Sequence, residues 1–256
     1  MIKIFALFLL LLITGVSEAA TINAASCSVA DIDTAENTAS SGDTIAVPSG
    51  ICHWSTQMVL TKNIILQGTG VGNTVIVDDT SATSAGALLK WTAVTGGTAH
   101  RLTGFEFQGG TRTSRNLNGL MWFVFTNASG TLLRIDHNKF GGGTLSNELV
   151  GNVLRPDCAV GVIDNNEFYT SGDQILEMRC PNWDGVGDYG DSSYGDVIDW
   201  GSSEAVYFEN NTIDDLSNSD GGCVDGNQGF RLVARFNTWT VFGQGMAPKR
   251  TEIVPG

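Results

Sequence analysis

The sequence predicts an all-β protein that folds as a right-handed parallel β-helix, a solenoid of stacked coils with a short capping helix at its N-terminal end. Three observations predict this fold class: a turn-rich composition, a series of short β-rich runs without helical segments between them, and an internal repeat. Glycine is frequent, at 32 of 256 residues, and proline is scarce, at 5. That composition favours many short strands and tight turns over helices.

The start of the chain is predicted to be an export signal, residues 1–19, rather than part of the fold. Lys3 supplies a positive charge, residues 4–14 form an apolar run, and small residues precede a cut after Ala19. The alternative is an uncleaved membrane anchor, but the apolar run is shorter than the roughly 20 residues of a membrane-spanning helix. We therefore expect residues 20–256 to form a single β-helix domain. It would be secreted, extracellular or periplasmic, with no membrane attachment after cleavage.

The elements that follow the signal can be placed in order. Residues 28–36 are the one place with a plausible helix, because Val29, Ile32 and Ala35 recur at helical spacing. Short strands come next, and each is closed by a turn rich in glycine or proline. We expect the first strands at residues 43–48, 63–68 and 74–77.

The repeat is the strongest of the three observations. Its pattern is an apolar residue, two variable positions, an asparagine, one variable position and a large apolar residue, and the copies are centred on Asn138, Asn166, Asn211 and Asn237. The steps between these asparagines are 28, 45 and 26 residues (166 − 138, 211 − 166 and 237 − 211). The short steps suit one coil each, and the long step predicts an insertion at residues 181–200. A weaker copy at residues 102–107 lacks the asparagine.

Stacking these copies predicts two columns of side chains. The asparagines would form a hydrogen-bonded ladder at a corner that needs left-handed backbone, a conformation that asparagine tolerates. The large apolar residues would form an inward column, made of Phe140, Phe168, Ile213 and Trp239. A β-sandwich is the alternative fold, but sandwich turns do not repeat one motif at solenoid spacing.

Several of these segments are similar to those of one known family. The corner Asp136-His137-Asn138-Lys139-Phe140, the opening GDTIAVPSG at 42–50 and the segment GFRLVARFNT at 229–238 resemble pectate-lyase-like right-handed β-helix proteins. The resemblance covers most of residues 27–240. It implies the fold more strongly than the activity, because the family includes lyases, hydrolases, phage tail-spike proteins and adhesins. Many members are longer, which leaves open a truncated C-terminus.

A candidate metal site comes from the position two residues before each repeat asparagine. Asp136, Asp164, Glu209 and Arg235 stand there and would point outward in one column, about 5 Å apart. Bare carboxylates at that spacing repel one another and recruit a cation, so the three acids are candidate ligands for Ca²⁺. The alternative is a solvated acidic face that binds nothing.

Candidate catalytic residues follow from the same column. The resemblance implies β-elimination on a uronate-containing polysaccharide, in which Ca²⁺ offsets the substrate carboxylate and an arginine removes the neighbouring proton, here Arg235 or Arg231. His137 is a further candidate base near neutral pH, although a single histidine at a corner is commonly just a turn residue. Paired carboxylates also suit glycoside hydrolysis, and the column alone does not decide between the two reactions.

The predicted insertion supplies candidate substrate contacts. Its segment 184–196 carries four aspartates among glycines, and Trp183, Tyr189 and Trp200 flank or enter that segment. These aromatic residues are predicted to stack on sugar rings. The alternative is an acidic loop without metal or ligand.

Charge and cysteine content narrow the class of protein. A net charge of −13 argues against nucleic acid as a partner, because its phosphates would repel the chain.

An exported chain can form disulfides. Cys27 with Cys52 is the first candidate pair, Cys158 with Cys180 is the second, and Cys223 is left over. Two functions remain: a polysaccharide lyase, or a non-catalytic glycan-binding, adhesin-like or tail-spike-like protein. The oligomeric state stays open.

Overall fold

A computed structural model describes residues 18–81, 86–92, 100–113, 119–125, 131–142, 144, 149–170, 174–179, 205–215, 224–227 and 232–241. These residues form one helix and many short strands, as the composition predicts. In chain order the elements are β1 (Thr21–Asn23), α1 (Val29–Thr38), β2 (Thr44–Ala46), β3 (Gly50–Trp54), β4 (Met58–Leu60), β5 (Ile65–Gln67), β6 (Thr74–Asp78), β7 (Leu89–Thr92), β8 (His100–Thr103), β9 (Glu106–Gly109), β10 (Met121–Val124), β11 (Thr131–Asp136), β12 (Lys139–Phe140), β13 (Leu154–Asp157), β14 (Ala159–Asp164), β15 (Glu167–Thr170), β16 (Leu176–Arg179), β17 (Val206–Glu209), β18 (Thr212–Asp215), β19 (Val224–Asn227), β20 (Leu232–Arg235) and β21 (Thr238–Val241).

The strands form three sheets in which every neighbouring pair is parallel. Sheet A has the order β1-β2-β5-β8-β11-β14-β17-β20, sheet B the order β3-β6-β9-β12-β15-β18-β21, and sheet C the order β4-β7-β10-β13-β16-β19. From β2 to β19, each coil contributes one strand to each sheet in turn; β8, β9 and β10 make one coil, and β11, β12 and β13 make the next. The described residues therefore form a three-sheet parallel β-solenoid, which confirms the predicted stack of parallel strands.

The sequence repeat coincides with the structural repeat. Ile135 pairs with Ile163, Ile163 with Phe208, and Phe208 with Ala234, so the predicted copies lie in register along sheet A. The weaker copy is also a coil, because Leu102 pairs with Ile135. The insertion between the second and third copies does not shift the register.

The asparagine ladder forms as predicted between sheets A and B. The side chain of Asn138 donates to Oδ1 of Asn166 at 3.2 Å, that of Asn166 to Asn211 at 3.1 Å, and that of Asn211 to Asn237 at 3.1 Å. The same oxygens accept the backbone N–H of the preceding asparagine at 2.9–3.0 Å. Each amide thus ties one coil to the next and satisfies buried backbone groups.

The left-handed backbone at this corner lies one residue earlier than predicted. Positive φ values of 55–60° belong to His137, Asn165, Asn210 and Phe236, each directly before a ladder asparagine. The prediction that the ladder asparagine itself takes this conformation was therefore wrong. The ladder position selects asparagine for its side-chain amide, whereas the position before it makes the bend.

The core fills the space between the three sheets. Phe107, Phe140 and Phe168 stack with ring centroids 5.4 and 5.0 Å apart, and Ile213 continues the same buried column. Trp239 follows in register but is 37% exposed, because no described strand lies beyond it. The predicted inward column is confirmed, with partial exposure at its last member.

The single described helix, α1, begins one residue later and ends two residues later than the sequence predicts. Ser28 caps it by accepting the backbone N–H of Asp31 at 3.2 Å. Ile32 is fully buried, and α1 contacts β1, β2 and β4. At the other end, the Lys62 ammonium donates to the carbonyl oxygen of Ala39 at 2.8 Å, which supplies a cation to the C-terminus of the helix.

One predicted disulfide is confirmed: Cys27 and Cys52 are bonded. Cys158 is also in a disulfide, but Cys180 and Cys223 lie outside the described residues, so the Cys158–Cys180 pair stays a prediction. The disulfides fit the predicted export of the chain. In the part of the chain that the structure describes, no helix is long and apolar enough to cross a membrane.

Candidate functional site

The predicted column exists, but its carboxylates are not bare. Asp136 pairs with Asp164, Asp164 with Glu209, and Glu209 with Arg235, so all four residues lie in register at the end of neighbouring sheet A strands. Asp136 is 0% exposed and Asp164 is 7% exposed, whereas Arg235 is exposed. The expectation of an open row of repelling acids is therefore wrong for the first two members, because cations cover them.

Two neighbouring side chains, Arg101 and His137, hold the buried carboxylate of Asp136. The guanidinium of Arg101 donates from Nε to Oδ1 at 2.7 Å and from a terminal nitrogen to Oδ2 at 2.5 Å, which is the bidentate geometry that arginine forms with carboxylates. Nδ1 of His137 lies 2.8 Å from the same Oδ2. Burial opposes ionisation, but the hydrogen bonds from Arg101 and His137 outweigh it and lower the pKa of Asp136. The same pairing raises the pKa of Arg101.

A second arginine links this carboxylate to the next one in the column. Arg134 lies two residues before Asp136 on the same face of β11, with its Nε 3.6 Å from the Asp136 carboxylate. One of its terminal nitrogens donates to Oδ2 of Asp164 at 3.2 Å, and Asn165 donates to the same oxygen at 2.6 Å. Oδ1 of Asp164 is buried and has no hydrogen-bond partner among the described residues.

The groups that reach the surface above these acids are cationic or basic. The side chains of Arg101, Arg134 and His137 are 35%, 46% and 62% exposed. Arg101 and Arg134 pair directly across β8 and β11, so they stand on adjacent coils. We call Arg101, Arg134, Asp136, His137 and Asp164 the Asp136 cluster. It presents guanidinium and imidazole groups outward over buried carboxylates, which suits an anionic ligand.

The residues of the column do not fit a calcium site as they are arranged. Both oxygens of Asp136 are taken by Arg101 and His137, and Glu209 is held by Arg235 at 2.5 Å. Among the described residues, no group of three His, Cys, Asp or Glu side chains is placed to hold a metal ion. Calcium needs six to eight oxygen ligands, and the arginines already supply the charge that it would bring.

The predicted catalytic groups do not all converge on one point. Arg235 lies three coils from Asp136, roughly 14 Å at the usual spacing of parallel strands. Its guanidinium is bound to Glu209 and packs over the ring of Tyr207 at 5.4 Å. His137 and Arg235 therefore cannot act on the same substrate atom. Arg231 and the aromatic residues of the insertion lie outside the described residues, so these predictions stay untested: Arg231, Trp183, Tyr189 and Trp200.

Sheet C carries a second polar cluster, which the sequence did not suggest. The Lys90 ammonium lies 5.0 Å and the Arg155 guanidinium 5.1 Å from the ring of Trp122. Nε1 of Trp122 and Nε of Arg155 both donate to Asp157, at 2.8 and 3.0 Å. Lys90 and Arg155 come from the coils before and after Trp122, so cations from both neighbouring coils pack on this indole. We interpret this cluster as a structural ladder.

Sequence reasoning missed Arg101 and Arg134, although a signal for them exists. Aligning the repeats four positions before the asparagine, rather than two, selects Arg134, and the weaker copy then places Arg101 beside it. Both positions point to the same side of the sheet as the acids, because side chains alternate along a strand. The counterions of Asp136 and Asp164 therefore stand two residues before the acid position, on the same face of the sheet.

Comparison with known proteins adds no relative. The chain matches no protein-family model, no curated protein and no solved structure. The solenoid and the Asp136 cluster are the features of the protein that bear on its function.

Proposed function

We propose that this protein is a secreted, pectate-lyase-like right-handed β-helix, closed at its N-terminal end by α1, that binds an acidic polysaccharide and cleaves it by β-elimination. The observation that carries the proposal is the Asp136 cluster. Arg101, Arg134 and His137 are all part-exposed on one face, next to one another. The sheet gives a polymer a flat, regular surface on which to lie.

The charge of this face favours an acidic polymer. The outward groups are guanidinium and imidazole, and the carboxylates that balance them lie beneath. A guanidinium binds a carboxylate through two parallel hydrogen bonds, so uronate sugars match the site better than neutral ones. Since the whole chain carries a charge of −13, such a polymer would be held by these short-range contacts rather than by long-range attraction.

The same groups suit elimination rather than hydrolysis. Elimination requires stabilisation of negative charge on the uronate carboxylate as the neighbouring proton leaves, together with a base close by. The cluster offers both, as Arg101 or Arg134 and His137. Hydrolysis requires two carboxyl groups free to act on the glycosidic bond, whereas Asp136 and Asp164 are buried and bound to arginine.

A non-catalytic glycan-binding protein is the second candidate, and one observation favours it. Every carboxylate of the column contacts an arginine, and such pairs occur in β-sheets for purely structural reasons. A surface of this kind binds a polyanion without reacting with it. The two candidates predict the same ligand and differ only in whether the ligand is cleaved.

The test is a panel of polyuronates and one neutral glucan offered to the purified protein. Binding is measured by affinity electrophoresis, and cleavage by the absorbance of the unsaturated uronide. We expect binding and rising absorbance on at least one polyuronate and neither on the glucan. The substitution Arg134→Gln should weaken binding about tenfold, the usual value of one charged hydrogen bond. Lys90→Gln, which removes a charge from sheet C, should leave binding unchanged.

Each other outcome has a definite meaning. Binding without a rise in absorbance would favour the glycan-binding candidate over the lyase. Absence of binding to every polyuronate would contradict the proposed function in both forms.

A further inference from the structure

We infer that the elimination is independent of metal: Arg101 and Arg134 hold the uronate carboxylate in place of Ca²⁺, and Nε2 of His137 removes the proton. This inference rests on the proposed function, and it differs from the calcium-assisted, arginine-catalysed reaction that the sequence resemblance implies. The acids predicted to bind calcium are each paired with an arginine: Asp136 with Arg101, Asp164 with Arg134 and Glu209 with Arg235.

The orientation of His137 makes it a base. Nδ1 faces the carboxylate of Asp136 at 2.8 Å. An ionised carboxylate only accepts hydrogen bonds, so Nδ1 must carry the proton of this contact. In the neutral ring the other nitrogen, Nε2, then has the free lone pair. Because the side chain is 62% exposed, Nε2 is open to a ligand on the face of sheet A, and Asp136 acts as a positioning residue.

The two guanidiniums have donors to spare. A guanidinium has five N–H donors, and Asp136 takes two of those of Arg101. Arg134 is the more exposed of the two arginines, at 46%. Since the arginines lie on adjacent coils, about 5 Å apart, a substrate carboxylate can bridge them. The two guanidiniums then supply to the substrate carboxylate the positive charge that a metal ion would otherwise supply.

The reaction balances without an added oxidant, reductant or metal. Nε2 of His137 takes the proton from C5 of the uronate, and the electron pair of that C–H bond forms the C4=C5 double bond. The C4–O bond to the neighbouring sugar breaks, and its electron pair leaves with the oxygen. Water protonates that oxygen, and the hydroxide so formed takes the proton from His137. The products are an unsaturated uronide and a shortened chain with a new hydroxyl end.

The chain itself offers a conservative variant of the base. Asparagine occupies the position of His137 in the next two coils, as Asn165 and Asn210, all three with φ of 55°. Asn165 donates to Asp164 at 2.6 Å, as the imidazole does to Asp136. His137→Asn therefore keeps the corner and the contact to Asp136 while it removes Nε2.

A matched control comes from sheet B. His53 is 63% exposed, and its Nδ1 lies 2.6 Å from Asp79, so it forms the same kind of histidine–aspartate pair. Arg101 and Arg134 lie on sheet A, so this pair lacks their guanidiniums. His53→Asn removes an exposed histidine without touching the Asp136 cluster.

The experiment measures initial rates of unsaturated uronide formation by wild type, His137→Asn and His53→Asn, each in excess chelator and in added Ca²⁺, with melting temperatures alongside. We expect equal wild-type rates in chelator and in Ca²⁺. His137→Asn should lose kcat by about 100-fold or more, the usual contribution of a general base, with an unchanged melting temperature. His53→Asn should match the wild type.

The opposite results separate the two proposals. Wild-type activity that disappears in chelator and returns with Ca²⁺ would overturn the metal-free reaction and leave the lyase function standing. So would a His137→Asn variant as fast as the wild type. A wild type that makes no unsaturated product from any polyuronate would overturn the lyase function, and this inference with it.

Discussion

Asp136 is a carboxylate with no exposure to solvent, in a position where alternation along the strand predicts an outward side chain. Its neighbours resolve the conflict: Arg101 and Arg134 extend along the face of the sheet and cover it. Burying such a charge is costly unless it is paired and hydrogen-bonded. The arginines therefore offset the cost of burying the Asp136 carboxylate. Asp136 in turn orients His137 through the contact to its Nδ1.

His100 is the buried titratable residue that the proposed chemistry does not use. Its ring lies 5.5 Å from that of Trp91 and 5.0 Å from that of Phe125, and it is 0% exposed. Burial lowers its pKa, partly opposed by the backbone of Leu132. The folded protein therefore holds this histidine neutral at a pH where an exposed histidine is charged.

The lowered pKa of His100 predicts how the stability of the protein depends on pH. Below the pKa of about 6.5 of an exposed histidine, the unfolded chain binds a proton that folded His100 does not. As the pH is lowered below 6.5, the free energy of unfolding therefore decreases, until the pH reaches the lowered pKa of folded His100. We expect the difference between wild type and His100→Leu to shift in favour of the variant between pH 7 and pH 5, measured by urea denaturation. A difference independent of pH would contradict a buried neutral histidine.

At the scale of the element, the corner between sheets A and B divides two tasks between adjacent residues. The first residue, such as Asn165, bends the backbone with φ of 55°. The second, Asn166, donates to the carbonyl oxygens of Ile135 and Asp164 at 2.9 and 3.0 Å and to the next ladder residue. Sequence pattern alone located the corner but assigned both tasks to the second residue, because asparagine suits both.

Substitution of each asparagine should separate the tasks. Asn166→Ala leaves several buried backbone groups without partners, each of which costs about 1–3 kcal/mol, so we expect a loss of at least about 2 kcal/mol in the free energy of unfolding. Asn165→Gly keeps the left-handed bend and removes one contact to Asp164, so its effect should stay below about 1 kcal/mol. Thermal and urea denaturation of both variants measure these losses. Equal losses would show that the ladder has no special role.

At the scale of the whole molecule, the repeat was enough to predict the solenoid and its register. Placing Ile135, Ile163 and Phe208 in one inward column predicts which residues pair, because neighbouring coils repeat the same geometry. The register also holds across the predicted insertion, because residues 161–164 pair with residues 206–209 without a shift. The helix was predictable from the helical spacing of Val29, Ile32 and Ala35.

The candidate site was predictable only in part. The column of Asp136, Asp164, Glu209 and Arg235 follows from the register. Its burial and pairing do not, because they depend on side chains that reach sideways and across coils, as Arg101 does to Asp136 over 35 residues of sequence. A repeat aligned on one position shows which residues stack but not which neighbours neutralise them.

The central claim, that an acidic polysaccharide is cleaved by elimination at the face of sheet A, is tested most directly by the mass of the products. A defined uronate oligomer is incubated with the wild type and with His137→Asn, and the fragments are weighed by mass spectrometry. We predict pairs of fragments from the wild type in which one member is lighter by one water than a hydrolysis product, and intact oligomer from the variant over the same time. Fragments that carry an added water, or the same fragments from both proteins, would contradict the account.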